Sequence, residues 1–163
     1  MIFKTSLDKL AKGTTIAITV LFASIIISQL FIFKNTYQNS LYLLPSALIL
    51  IYFITFGLRP INYHLTADEL VIHRLFSDVK INRNQIKSVE LLDKNSIRLA
   101  IRTFGVGGLF GYYGKFANTK LGSMTWYATR RDRTVLVETI ENKKIVLTPD
   151  DPEKFVDSFN KPQ

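Results

Sequence analysis

The chain has 163 residues, 47% of them hydrophobic, no cysteine and a formal net charge of +8. That length allows one domain of ordinary size, or a small domain plus a membrane anchor. The missing cysteines exclude disulfide frameworks, thiolate metal sites and cysteine nucleophiles. The basic excess suits a place beside an anionic leaflet; a nucleic-acid footprint would carry the same sign, but two apolar blocks argue against it.

The first block, TTIAITVLFASIIISQLFIF over residues 14–33, is uncharged. Twenty residues at about 1.5 Å each reach about 30 Å, the thickness of the hydrocarbon core. The second block, LYLLPSALILIYFITFGL over residues 41–58, is also uncharged, with Pro45 near its start, where a helix tolerates it. Residues 34–40 leave room only for a tight turn, so the pattern predicts an antiparallel transmembrane hairpin within an N-terminal segment, residues 1–60. A cleaved signal peptide fits poorly: the apolar run is too long, no small-residue cleavage site closes it, and a second span follows at once. Lys4, Lys9, Lys12 and Arg59 flank one side and Lys34 alone the other. Cations favour the cytoplasm, which predicts a multi-pass protein of the plasma (inner) membrane with both termini cytoplasmic. Tyr37 and Tyr42 fall near the outer interface, where amphipathic rings are favoured.

From residue 61 the texture changes to short strands. INYHL (61–65), a TADE turn and ELVIHRLF (69–76) open the series, and Ile86 and Val89 mark another strand. SIRLAIR (96–102) alternates, which predicts a strand with Ile97, Leu99 and Ile101 on one face and Arg98 and Arg102 on the other. SMTWYATR, RTVLVET and KKIVLT follow, separated by RRDR (130–133) and ENKK (141–144) as hairpin turns. About seven strands in this length predict a barrel or sandwich. In TPDDPEKFVDSF the period changes: Asp150 or Asp151 suits an N-cap, Pro152 the first turn, and Phe155, Val156 and Phe159 form an apolar stripe. This predicts one short helix closing an open end of the barrel.

Five stretches, YHLTADELVIHR, IKSVELL, GVGGLFGYYGKF, LGSMTWYATRRDRTVLVET and KKIVLTPDDPEKFV, together resemble the bacterial pleckstrin-homology (PH)-like family, often found behind a transmembrane hairpin. The resemblance implies a PH-like, partly open antiparallel barrel with a C-terminal capping helix over residues 61–163, and a membrane-adjacent binding module. It implies no activity.

The glycine-rich stretch RTFGVGGLFGYYGKF (102–116) is no phosphate loop: Phe116 follows Gly114-Lys115, and Leu109 stands where the first glycine would be needed. The dinucleotide fingerprint fails at Phe110. Its density of large apolar groups makes residues 105–116 the expected recognition surface for a protein partner or a second copy, through Phe110, Tyr112, Tyr113 and Phe116. The rival expectation is that these rings fold back and complete the core. The basic tip Arg130, Arg131 and Arg133 offers planar donors for lipid phosphates, though phosphoinositide-binding PH domains usually carry their cations between the first two strands, where this chain has acidic TADE. His64 and His73 lack further ligands for a metal, no serine has a nucleophile's partners, and the carboxylates near residue 150 suit helix capping. The sequence therefore predicts a non-enzymatic scaffold or regulator without catalytic residues, metal or cofactor, or alternatively a sensor of anionic lipid headgroups.

Overall fold

The structure is a computed structural model that describes residues 1–32 and 43–161. The expected turn at 34–40, with Tyr37 and Tyr42, lies outside the described residues. The chain opens not on a loose basic flank but on a strand, β1 (Ile2–Lys4). Asp8 then accepts a hydrogen bond from the Ala11 amide at 2.7 Å and starts α1 (Lys9–Ile32). Carboxylates suit that position because the first amides of a helix lack intrahelical partners. Residues 9–29 of α1 are long and apolar enough to cross a membrane. The second apolar helix, α2 (Leu43–Leu58), has 16 residues.

Only Arg59 separates α2 from β2 (Pro60–Leu65), which leads into β3 (Glu69–Arg74) and β4 (Val79–Asn82). These three strands and β1 form an antiparallel sheet in the order β1-β2-β3-β4. Ile2, Phe3 and Lys4 pair with His64, Tyr63 and Asn62, so a strand from the expected N-terminal segment, residues 1–60, joins the sheet formed by the strands that follow it.

A second sheet holds β5 (Ile86–Leu92), β6 (Ile101–Gly108), β7 (Gly111–Asn118), β8 (Gly122–Ala128), β9 (Thr134–Thr139) and β10 (Lys144–Leu147). Their order is β5-β9-β10-β8-β7-β6, and every neighbouring pair is antiparallel except β10 and β8. The glycine-rich stretch, expected as a loop, is the β6–β7 hairpin. The expected strand at 96–102 is also corrected. Lys94–Ile97 makes a helical turn, α3, closed by Ser96 N–H to the Asp93 carbonyl at 2.9 Å. That turn breaks the two-residue period, so Ile97 is buried while Leu99 and Ile101 face outward.

The two sheets enclose Phe3, Tyr63, Leu70, Ile72, Val135, Val137 and Leu147, and Phe155 closes one end. Phe155 lies on α4 (Pro152–Asn160), capped as expected by Asp151, whose carboxylate accepts from the Lys154 amide at 3.1 Å. Phe3 meets Phe155 edge-on at 5.0 Å. A second cluster, built on Trp126, Phe116, Tyr112, Met124 and Leu136, fills the other face of the larger sheet beneath Ile97, Ala100 and Ala11.

Threonine hydroxyls tie the N-terminal segment into this frame. Thr5 Oγ1 donates to the Thr148 carbonyl at 2.7 Å and lies against Thr129 Oγ1, which donates to the Ser6 carbonyl at 2.8 Å. Tyr63 donates its hydroxyl to the Tyr127 carbonyl at 2.6 Å and accepts from the Thr148 amide at 3.1 Å. Its full burial raises its pKa.

Candidate functional site

The β6–β7 hairpin bends sharply. Gly105 and Gly114 face each other across it with φ of +108° and +119°, and a Cβ on either would run into the carbonyl oxygen of Tyr113 or Phe104. Glycine is required on both strands at this point. The bend carries the tip, Leu109 and Phe110, to the apolar helices. The Phe110 amide donates to Thr15 Oγ1 of α1 at 2.9 Å, and its ring meets Tyr52 and Phe56 of α2 edge-on at 5.0 and 5.2 Å. Arg59 stacks its guanidinium on Phe56 at 4.2 Å. The Tyr113 hydroxyl donates to the Thr55 carbonyl, Tyr112 donates to Asp8 at 3.3 Å, and Phe116 stacks on Trp126 at 4.4 Å.

Phe110, Tyr112, Tyr113 and Phe116 are thus all buried. The expectation that they form an exposed recognition surface is corrected. The glycine pair turns the hairpin inward, and the rings fill the second core and the seam with the helices. Burial, with the Asp8 charge adding to it, pushes the Tyr112 hydroxyl up to about 12. Burial raises Tyr113 as well, against a smaller opposing pull from Arg59.

The basic tip is largely spent within the molecule. Arg130 forks onto Asp132 at 2.6 and 2.8 Å and reaches Asp150 at 3.4 Å; the Asp132 bond raises the arginine pKa and holds the carboxyl low. Arg133 donates to the Asp150 carbonyl at 2.9 Å. Arg131 donates to the Ala100 carbonyl at 3.1 Å and lies over the rings of Tyr112 and Trp126 at 5.5 and 5.6 Å. These bonds tie the 130–133 turn to Ala100 and Asp150, with Arg130 and Arg131 half-buried and Arg133 exposed.

The model of one family, described as bacterial PH domain, matches residues 61–162. The chain belongs to that family. The match leaves out β1, although β1 completes the first sheet of this PH domain. No curated protein and no solved structure matches the chain.

Four strands of the PH domain end a sheet: β1, β4, β5 and β6. The longest, β6, has eight residues, its Gly108 end lying against Thr14 and Thr15 of α1 and its Ile101 end open, and α4 packs against β5. At and just before β6 stand Leu99, Ile101 and Phe104, exposed to 76%, 72% and 78%. Arg98 and Arg102 are exposed beside them. Native edge strands usually carry charges or bulges that discourage pairing. This edge has a bulge between Arg102 and Phe104 yet keeps its large apolar side chains in the open. Sequence reasoning missed it because strict alternation pointed Leu99 and Ile101 inward; the capping signal of Asp93 before Lys94-Asn95-Ser96 could have revealed the change of phase. Nearby, Asn95, Ile97, Arg98, Arg131 and Asp132 line an open cleft of about 320 Å³. His64 and His73 stack at 6.0 Å, with His73 Nδ1 2.9 Å from Asp78, and no group of three metal-ligating side chains occurs among the described residues.

Proposed function

We propose that this chain is a non-enzymatic, membrane-anchored PH-like binding module, a scaffold or regulator that takes an extended segment of a partner protein, or of a second copy, along β6. In this reading α1 and α2 cross the plasma membrane as a hairpin, and both chain ends are cytoplasmic. The exposed apolar side chains of both helices, such as Ile16, Val20, Leu50 and Phe53, support the anchor. PH domains are in general binding modules rather than catalysts. The β6 edge carries the reading. It offers unpaired backbone groups for strand addition and apolar side chains for specificity, and burying each such side chain is worth about 1.5–3 kcal/mol. Arg98 and Arg102 favour a segment in which acidic residues alternate with apolar ones. Binding of anionic headgroups draws less support, because Arg130 is paired with Asp132 and Asp150 and Arg131 is turned onto Tyr112 and Trp126; exposed Arg133 and the cleft between Arg98 and Arg131 are what remains for it.

The reading is tested with a photo-crosslinking amino acid at position 104 of the full chain in native membranes, and at exposed Glu90 as a control. A discrete adduct is expected at 104 only, and Ile101→Ser should abolish it. Twice the chain mass would identify self-association, any other mass a partner. Equal labelling at both positions, or none at 104, would end the proposal.

A further inference from the structure

The β3–β4 turn sets two large apolar side chains, Leu75 and Phe76, beside α2 and leaves them 54% and 46% exposed. Turns favour polar residues and glycine, and the rest of this one obeys that rule. Arg74 donates to the Ser77 carbonyl and hydroxyl at 2.7 and 2.9 Å, while Asp78 accepts from the Arg74 amide at 3.2 Å and pairs with His73 at 2.9 Å. These bonds close the base of the turn, and only Leu75 and Phe76 stand above it.

They stand at a definite height. The Phe76 amide donates to the Gly57 carbonyl at 3.2 Å, and its ring lies 5.2 Å from Phe53. A side chain at position 57 would collide with that ring, so Gly57 is the notch that admits it. Along α2, Gly57 lies about 3 Å and Phe53 about 9 Å beyond Arg59, the first charge after the apolar run. The β6–β7 tip reaches the same stretch from the other sheet, because Phe110 touches Phe56 and Tyr52. Two turns from two sheets thus rise to one level on the helix. Phe53 and Ile54 are exposed there, so the apolar surface of α2 continues onto the turn.

We propose that Leu75 and Phe76 form a bilayer-inserting turn, immersed at the boundary between headgroups and acyl chains beside α2, so that the PH domain is seated on the membrane. The occupant of this patch is lipid, because the patch continues the lipid-facing surface of α2. The proposal rests on the anchored reading given above.

The chain has no cysteine, so single-cysteine variants need no background removal. Leu75→Cys, Leu50→Cys and Glu90→Cys would each carry a bimane label in the full chain, reconstituted in phosphatidylcholine vesicles. Quenching by lipids spin-labelled near the headgroup end of the chain is compared with quenching by aqueous iodide. Phe76 stays in place because its ring fills the notch over Gly57, and Trp126 emission verifies that each variant is folded. The label at 75 is expected to show lipid quenching at least about twofold above that at 90 and no weaker than that at the deeper position 50, with iodide quenching well below that at 90. If 75 behaves like 90 while 50 is quenched from the lipid, the inserting turn is wrong and the anchor stands. If 50 is quenched by iodide, the anchor and the turn fall together.

Discussion

The N-terminal strand offers the sharpest test of this architecture, because two adjacent residues should respond in opposite ways. Phe3 is 6% exposed, sits between the sheets and meets Phe155, which is fully buried. Ile2, next to it on β1, is 66% exposed on the outer face. Truncating a buried phenylalanine removes its transfer free energy and leaves a cavity, a cost of about 3–5 kcal/mol. Phe3→Ala should reach that range despite lying over fifty residues from the rest of the domain in sequence. Ile2→Ala should change stability by no more than about 0.5 kcal/mol. For a domain of about a hundred residues, 1 kcal/mol moves the melting temperature by about 4 °C, so Phe3→Ala should lower it by about 12–20 °C. The sole tryptophan, Trp126, is fully buried in the second core and reports the transition by its emission in the full chain in detergent. A Phe3→Ala, Phe155→Ala double-mutant cycle should return a coupling of about 0.5–1.5 kcal/mol for the edge-on pair. A loss below about 1 kcal/mol for Phe3→Ala, or equal losses at positions 2 and 3, would refute the strand and with it the joining of the domain across the two apolar helices.

Gly114→Ala forces a side chain into a positive-φ site and against the Phe104 carbonyl, and should destabilise by more than the roughly 1 kcal/mol that a compatible Gly-to-Ala change can contribute; denaturant melts against Gly122→Ala, which shares the positive φ but whose Cβ meets open space, isolate the collision. Tyr112→Ser together with Tyr113→Ser should cost several kcal/mol, because both rings are buried, and wild-type-like melting would favour the recognition role instead. Tyr112 has its pKa raised from 10.0 to about 12, so the native state holds a proton the unfolded chain releases. That stabilisation is complete below pH 10 and fades as pH rises toward 12. Absorbance at 295 nm should show Tyr112 silent near pH 10, and Tyr112→Phe should flatten the loss of stability between pH 10 and 12.

What the sequence makes legible is whatever depends on local period. The apolar blocks are recognisable by length, and α4 by Asp151, Pro152 and the stripe of Phe155, Val156 and Phe159, because capping and burial act within one short segment. β1 is different. Three residues carry too little pattern to announce a strand, and the partner that stabilises them, β2, follows only after α1 and α2. The lysines at its end and after it read as a topology signal, while Phe3 just ahead of them has meaning only against Phe155. The 105–116 stretch was ambiguous for a related reason. Glycine favours loops locally, yet two glycines at cross-strand positions can share a bend, and only the register of β6 against β7 shows that they do. Leu99 and Ile101 were misplaced by one helical turn, α3, whose effect is to reverse which side of the chain faces the core.

These non-local features bear on one physical question, which is how freely the domain can move relative to α1 and α2. A domain joined by a single flexible linker is expected to reorient, because interfaces between units are usually small and polar. Here the chain passes between domain and helices twice, at residues 5–8 and at Arg59, and neither passage is slack. Thr5, Ser6 and Asp8 are each bonded to the second sheet or to the segments that follow its strands, and Arg59 is stacked on Phe56. The seams at Phe110 and Phe76 add a contact from each sheet to the helices. Rotation about either passage would have to break the hydroxyl network and withdraw the Phe110 ring from between Tyr52 and Phe56. The β6 edge is therefore held at a fixed height and angle relative to the helices. Its Gly108 end lies against Thr14, and Ile101 stands about 23 Å further along the strand. A partner segment pairing with β6 would consequently be aligned relative to the two helices.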